Sequence, residues 1–270
     1  MTKDKKKPIN SSLVFFGLTF LFTWICWIPA GLLSNEHGSF ANILHYMGGV
    51  MPTLSALLLL YLYNNYKERR DYWQRLVDFK HIGISSWIVI LLAVPILTIA
   101  GIVGDIILGG TVPKLEFASN ILSNPLSLLP FIMFTLVFGP LPEEMAWRGY
   151  ALDGLQTKWN ALMASLILGF AWTVWHLPLF WIEGSYQYGL GIGTSQFWLY
   201  MLDKIPQSIL MTLLYNKNQR STVTAILFHF MINFFGELLN LSLRAETIYI
   251  ASWWVAALFV VVLWKTQKKY

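Results

Sequence analysis

The chain has 270 residues, of which 56% are apolar and 12% are charged, and 19 basic residues outnumber 14 acidic ones for a net charge of +5. A charged share about half that of a soluble domain excludes a soluble globular enzyme. The positive charge is scattered over short loops, so it is no nucleic-acid footprint, and no nucleic-acid partner is expected.

Apolar stretches long enough to cross about 30 Å of hydrocarbon as helices recur along the whole chain. Eight spans are predicted, at 11–33, 41–63, 86–108, 126–154, 160–182, 195–215, 221–241 and 247–265. Strand-like alternation is absent, which argues against a barrel. The predicted fold is all-α: a polytopic integral membrane helical bundle of about eight transmembrane helices, with residues 1–270 as a single integral domain.

The N-terminal apolar run lacks a small-residue cleavage pattern and reads as a first helix that stays in place. Cys26, within it, is the one cysteine, so no disulfide forms within the chain. Residues 64–85, NNYKERRDYWQRLVDFKHIGIS, set Tyr72, Trp73, Leu76, Val77 and Phe79 among basic residues. An amphipathic helix on the inner leaflet and a solvated helical loop both fit that pattern. In the fourth span, FGPLP places Pro140 and Pro142 directly ahead of Glu143 and Glu144. Either a helix restarts there with proline in its first turn, or one continuous helix kinks. The C-terminal KTQKKY matches no prenylation motif. No internal repeat is evident, which counts against an inverted-repeat transporter.

Basic residues set orientation. Lys3, Lys5, Lys6 and Lys7 precede the first span, and Lys67, Arg69, Arg70, Arg75 and Lys80 fill the loop after the second. Arg148 and Lys158 follow the core of the fourth, Lys217 and Arg220 separate the sixth and seventh, and Lys265, Lys268 and Lys269 end the chain. With eight spans all of these fall on one side, and only Lys114 and Arg244 fall on the other. A multi-pass protein of the cell membrane with both termini cytoplasmic is expected.

Ionisable groups inside a bilayer are costly and usually functional. LPEEMAWRGY carries Glu143, Glu144 and Arg148; AWTVWHLPLF carries His176; ILFHFMINFF carries His229 and Asn233. Glu143 and His176 are 33 residues apart with a predicted turn at 156–160 between them, so an antiparallel pair brings them to one height. By helical rise Glu143 lies about 20 Å from that turn, and His229 lies about 13 Å past Arg220. Glu144 and Arg148 are i, i+4 and can pair, as can His229 and Asn233. Trp172, one turn before His176, is expected to wall the site against lipid.

Two adjacent carboxylates resist simultaneous ionisation. Arg148 would hold Glu144 as the anion, which leaves Glu143 as the better general base. A glutamate and a histidine at one height can bind and deprotonate water, while a histidine and an asparagine opposite can donate to an oxyanion. Each residue also has a bland account: interhelical packing for the histidines and Asn233, a topological anchor for Glu144 and Arg148. His37, His45 and His81 receive no role, and Asp203, Lys204 and Asp105 read as structural pairs or cavity lining.

At these residues the chain resembles the CAAX protease and bacteriocin-processing family, also called the Abi or type II CAAX prenyl endopeptidase family. Its EExxxR motif is matched by Glu143, Glu144 and Arg148, and its HxxxN/D motif by His229 and Asn233. Its FxxxH motif is matched at His176, with Trp172 in place of phenylalanine, and Ala146 stands where bacterial relatives often have glycine. The motif region covers about 126–241. The resemblance implies an intramembrane endopeptidase in which Glu143 activates water, His176 helps bind it, and His229 with Asn233 lines the oxyanion hole. Family members are commonly labelled metalloproteases. Zinc on Glu143, His176 and His229 would leave an open fourth position, but HExxH is absent and the metal-free reading is preferred.

The expected partners are membrane lipid and a peptide or protein substrate, lipidated or bacteriocin-like. Members in eukaryotes are linked to prenylated C-terminal tetrapeptides, and bacterial members to peptide processing, self-immunity and surface-protein traits. Two other classes stand beside the enzyme: a non-catalytic immunity or scaffold protein that binds a peptide in the same groove, and a proton-coupled transporter.

Overall fold

The computed structural model describes residues 11–34, 38–114 and 116–267. Among these the chain forms helices and loops and no strand: α1 (Ser11–Leu33), α2 (Gly38–Tyr63), α3 (Tyr66–Arg75), α4 (Ile84–Ile107), α5 (Glu116–Ser123), α6 (Leu128–Val137), α7 (Pro140–Ala146), α8 (Leu152–Gln156), α9 (Ala161–Trp175), α10 (Tyr186–Leu190), α11 (Ser195–Lys217), α12 (Thr222–Leu238) and α13 (Leu243–Gln267). Lys3, Lys5, Lys6, Lys7, His37, Lys268 and Lys269 lie outside the described residues.

The protein is a polytopic helical membrane protein. Six stretches are long and apolar enough to cross a bilayer: Ser12–Leu33, Gly38–Tyr63, Ile84–Ile107, Pro125–Gln156, Ala161–Trp181 and Leu243–Thr266. The other two predicted spans are helical but differ in character. Helix α11 has 23 residues yet carries Asp203, Lys204 and Gln207 within it, and α12 has 17.

The bundle is apolar without, and its largely apolar interior also encloses polar and charged side chains. Leu21, Ile25, Ile28 and Leu32 of α1 and Ile88, Leu92, Ile96 and Ile99 of α4 are exposed, whereas Thr19, Thr23, Ser55, Ser165, Glu144 and Arg148 are completely buried. Lipid solvates the outer side chains as well as a protein core would, so helix association rests on close packing and internal hydrogen bonds. Helix α1 packs on α2, α9 on α11, and α13 on both α4 and α11, while α7 lies against α2 and α12. Gly169 permits the α9–α11 approach: a Cβ there would stand 3.0 Å from the Ile205 Cα and 3.1 Å from the Ser208 Cβ. Ser208 then donates across the interface to the Ser165 carbonyl at 3.0 Å.

The fourth span is not one helix. Helix α6 ends at Val137, Gly139 takes φ −146° and ψ −93°, and α7 restarts with Pro140 at its first position. Proline loses nothing there, because that N–H has no intrahelical partner in any case. A π-helical turn, Trp147–Ala151, then joins α7 to α8. The fifth span is also divided: α9 stops at Trp175, His176 caps it, and a 3₁₀ turn covers Leu177–Trp181. The single helix expected over 160–182 therefore breaks at its histidine, two residues ahead of Pro178.

Within 64–85 the helix is the ten-residue α3, opened by a capping box in which Asn65 Oδ1 accepts from the Glu68 N–H at 3.1 Å and Glu68 Oε2 accepts from the Asn65 N–H at 2.9 Å. It is neither wholly solvated nor simply laid on lipid. Trp73, Val77 and Phe79 are exposed, but Tyr72 and Arg75 plug into the bundle. The Tyr72 hydroxyl donates to the Met145 carbonyl at 3.1 Å, and burial pushes that phenol well above its usual range, so it stays a donor. Arg75 donates to the Gly149 carbonyl at 3.1 Å and pairs with Asp71 at 2.9 Å and Asp153 at 3.2 Å. Arg220 pairs with Asp71 at 3.1 Å and also with Asp153, and Lys217 donates to Ser85 at 3.0 Å. These contacts gather the 64–85 connection, Asp153 and the 217–220 turn onto one face.

Candidate active site

The broken helices converge on a buried polar cluster. Glu143 and Glu144 occupy the seven-residue helix α7 between the Gly139 break and the π-helical turn. Successive helical residues point about 100° apart, so the two carboxylates diverge into different surroundings. Arg148 Nη1 donates to both Glu144 oxygens, at 2.9 and 3.0 Å, with both side chains fully buried. His229 Nδ1 lies 2.9 Å from Glu144 Oε1. An Arg-paired carboxylate only accepts, so Nδ1 carries the hydrogen, and Nε2 is the free nitrogen of His229. Glu144 is thus taken from two sides.

Glu143 has one hydrogen-bond partner among the described residues. Trp172 Nε1 donates to its Oε2 at 2.6 Å. The backbone carbonyl of that same tryptophan lies 2.7 Å from His176 Nδ1. A carbonyl can only accept, so the Nδ1 of His176 is the protonated nitrogen and Nε2 is left available. The Trp172 ring packs edge-to-face on His229, with centroids 5.0 Å apart, and the Arg148 guanidinium stands 5.0 Å from its centre. His176 is further held edge-on between Trp175, at 4.7 Å, and Tyr200, at 5.7 Å.

Asn233 reaches the same region from one turn below His229. Its Nδ2 lies 2.9 Å from where a Cβ on Gly139 would stand, so the residue at the helix break leaves room for the amide. Glu143, Glu144, Arg148, His176, His229 and Asn233 therefore come from α7, the turn after it, the end of α9 and α12; Glu143, Arg148, His176 and His229 gather around Trp172, and Asn233 lies at the Gly139 break. No group of three or more His, Cys, Asp or Glu side chains disposed to hold a metal occurs among the described residues. Glu143, His176 and His229 are each tied by one atom to a protein partner.

One feature escaped the sequence reading. Trp172 was expected as a lipid-side wall, whereas it is completely enclosed and hydrogen-bonds the candidate base. Its readable signal was the indole N–H at a position where the motif has phenylalanine. Lys204 Nζ stands 4.0 Å from the Tyr200 ring centre and 5.6 Å from that of Trp172, paired with Asp203 at 2.8 Å. Asp203 and Lys204 are thus a pair, as expected, and they border the cluster. Asp105 is structural: it accepts from Ser242 at 2.7 Å and pairs with Arg244. His81 pairs with Asp78 at 2.5 Å on the surface, and His45 stacks on Tyr46.

Comparison with known proteins meets this geometry at the same residues. A model of the type II CAAX prenyl endopeptidase Rce1-like family matches residues 125–235, a stretch that contains every residue of the cluster named above. A CAAX prenyl protease 2 from Methanococcus maripaludis is 30% identical over 232 residues, which is 85% of this chain and 85% of that protein. The chain belongs to the type II CAAX prenyl endopeptidase family. Membership makes it a multi-pass membrane protein of a protease family, and the likeness to the archaeal protease extends well beyond the motif-bearing half, into the N-terminal spans that carry no motif.

Proposed function

We propose that the protein is an intramembrane endopeptidase in which Glu143 activates a water molecule. The observation that carries this reading is the unequal treatment of two adjacent buried carboxylates. Glu144 is spoken for by Arg148 and His229, while Glu143 meets one indole N–H and keeps an oxygen for water. In this scheme Glu143 Oε1 takes a proton from water as the hydroxide oxygen attacks the scissile carbonyl carbon. His176 Nε2 accepts the water's second hydrogen bond and fixes its orientation.

The oxyanion is met by the Asn233 amide and by His229. With Nδ1–H committed to Glu144, a donor at Nε2 requires the doubly protonated ring. Glu143 then passes its proton to the departing nitrogen as the C–N bond breaks, giving an acid and an amine for one water consumed. Glu144 and Arg148 act through His229 and touch no reacting atom.

The substrate we infer is a membrane-associated peptide with a prenylated C-terminal segment, following the archaeal relative named as a CAAX prenyl protease. The shared ionic face of Arg75, Asp153, Lys217 and Arg220 agrees with a cytoplasmic side that also bears both termini, and substrate would enter from there.

The test is cleavage of quenched-fluorescent peptides by the purified protein: one ending in a prenylated CAAX tetrapeptide, its unprenylated twin, and a mixed library. Wild type and Glu143→Gln are run side by side, each with and without a strong chelator. Turnover by wild type alone, indifferent to chelator, is expected. Loss of a proton-transferring base costs about 10²- to 10⁴-fold. Wild-type turnover by Glu143→Gln would sink the assignment of the base. Turnover abolished by chelator and restored by zinc would move Glu143, His176 and His229 into a metal site. Binding without cleavage of any peptide would favour the scaffold or immunity class, and pH-driven flux in liposomes the transporter class.

A further inference from the structure

The mechanism leaves one buried residue at the centre of the cluster unused. Trp172 touches both members of the water-binding pair: its indole N–H donates to Glu143 Oε2 at 2.6 Å, and its carbonyl oxygen engages His176 Nδ1 at 2.7 Å. A glutamate carboxylate turns about its last bond, and either oxygen can serve as base. The indole removes that ambiguity by occupying Oε2 and leaving Oε1. The carbonyl removes the matching ambiguity at His176 by selecting the tautomer with Nε2 unprotonated.

The indole is itself held firmly. Trp172 is 1% exposed. The Arg148 guanidinium and the Lys204 ammonium stand 5.0 and 5.6 Å from its ring centre, and the His229 ring packs on it with centroids 5.0 Å apart. A buried donor held by these three neighbours imposes its own geometry on the carboxylate it binds.

We propose that Trp172 is a positioning residue for this chain's reaction, setting which oxygen of Glu143 and which nitrogen of His176 face the water. The backbone half of this role is open to any residue at 172. The side-chain half needs an N–H donor, which the phenylalanine of the motif lacks. The proposal rests on the reading of Glu143 as the base.

Trp172→Phe and Trp172 replaced by 3-benzothienylalanine, which keeps the indole's shape with sulfur in place of N–H, are compared with wild type and Glu143→Gln. The substrate is the best-cleaved peptide of the set above, and thermal midpoints are recorded alongside. Both Trp172 replacements are expected to lower kcat by about 10- to 100-fold, the cost of a misplaced catalytic group. The KM is expected to stay within about twofold, because an orientation effect is felt in the transition state rather than in ground-state binding. The benzothienyl protein should keep the wild-type midpoint, which separates a lost donor from a lost fold.

A wild-type kcat in the benzothienyl protein, with Glu143→Gln inactive, overturns the role of Trp172 and leaves the base assignment standing. A raised KM with kcat unchanged also overturns it, since Trp172 would then be a substrate contact. Activity in Glu143→Gln removes the base and the positioning residue together.

Discussion

At the scale of single residues the site is organised by which atoms are already committed. Arg148 and Glu144 are both sealed from solvent, and each is the main charge partner of the other. Breaking a buried ion pair by removing one side costs about 3–5 kcal/mol, because the other charge stays buried without compensation. Arg148→Ala is therefore expected to lower the thermal midpoint in detergent sharply. A midpoint within the error of wild type would show that His229 alone suffices for Glu144. Glu143→Gln should behave in the opposite way, since a glutamine carbonyl oxygen still accepts from the Trp172 indole. Its activity is expected to vanish while its midpoint stays close to wild type, and a collapse of the fold in this variant would make Glu143 a structural residue.

At the scale of elements, the breaks build the site. An unbroken helix over 126–154 would carry Glu143 and Glu144 on a uniform spiral. The restart at Pro140 and the π-helical turn at Trp147–Ala151 instead set the short helix that bears both carboxylates between two irregular joints. Such π-turns concentrate at functional sites, where an extra residue re-aims a side chain. Gly139 tests this view, because a Cβ there would approach Asn233 Nδ2 to 2.9 Å. Gly139→Ala is expected to displace the amide and cut kcat by about 10- to 100-fold, approaching the cost of a lost oxyanion donor. A kcat equal to wild type would remove Asn233 from the oxyanion site. Helix α3 belongs to the same scale: Arg75 ties it to Gly149, one residue past Arg148. Arg75→Ala should expose α3 to limited proteolysis, and an unchanged digestion pattern would mean that Tyr72 alone holds it.

For the whole molecule, the ionic face formed by the 64–85 connection, Asp153 and the 217–220 turn predicts topology. On a Cys26→Ser background, single cysteines at Lys67, Lys158 and Lys217 should react with a membrane-impermeant thiol reagent from the cytoplasmic side. A cysteine at Val112, exposed in the loop after α4, should react from the opposite side. Reaction of Lys67→Cys and Val112→Cys from one side would contradict the arrangement, because α4 then would not cross. With lipid solvating the outer faces, helix association rests on close packing, and interface glycines are sensitive too. Gly169→Leu should loosen α9 from α11, where a Cβ already meets the Ile205 backbone at 3.0 Å.

Much of this protein is legible in one dimension because lipid imposes a simple rule. A backbone that cannot bond to lipid must form helices, so long apolar runs declare their structure, and carboxylates or histidines within them stand out against that background. Glu143, Glu144, Arg148, His176, His229 and Asn233 are legible for that reason, as is the i, i+4 pairing of Glu144 with Arg148. The division of the fourth and fifth spans is only half legible: Pro140 and Pro178 flag a disturbance, but a kink and a restart share the same proline. The partner of each atom is a tertiary matter. His229 could have faced either carboxylate, and the Trp172 indole could have faced lipid. Which it meets depends on how close α9, α11 and α12 approach, a distance set by side chains such as Gly169 and Ser208 on helices far apart in the chain. Residue type and helical period announced a polar site in the membrane. Helix contacts distant in sequence decided which oxygen and which nitrogen in it are free.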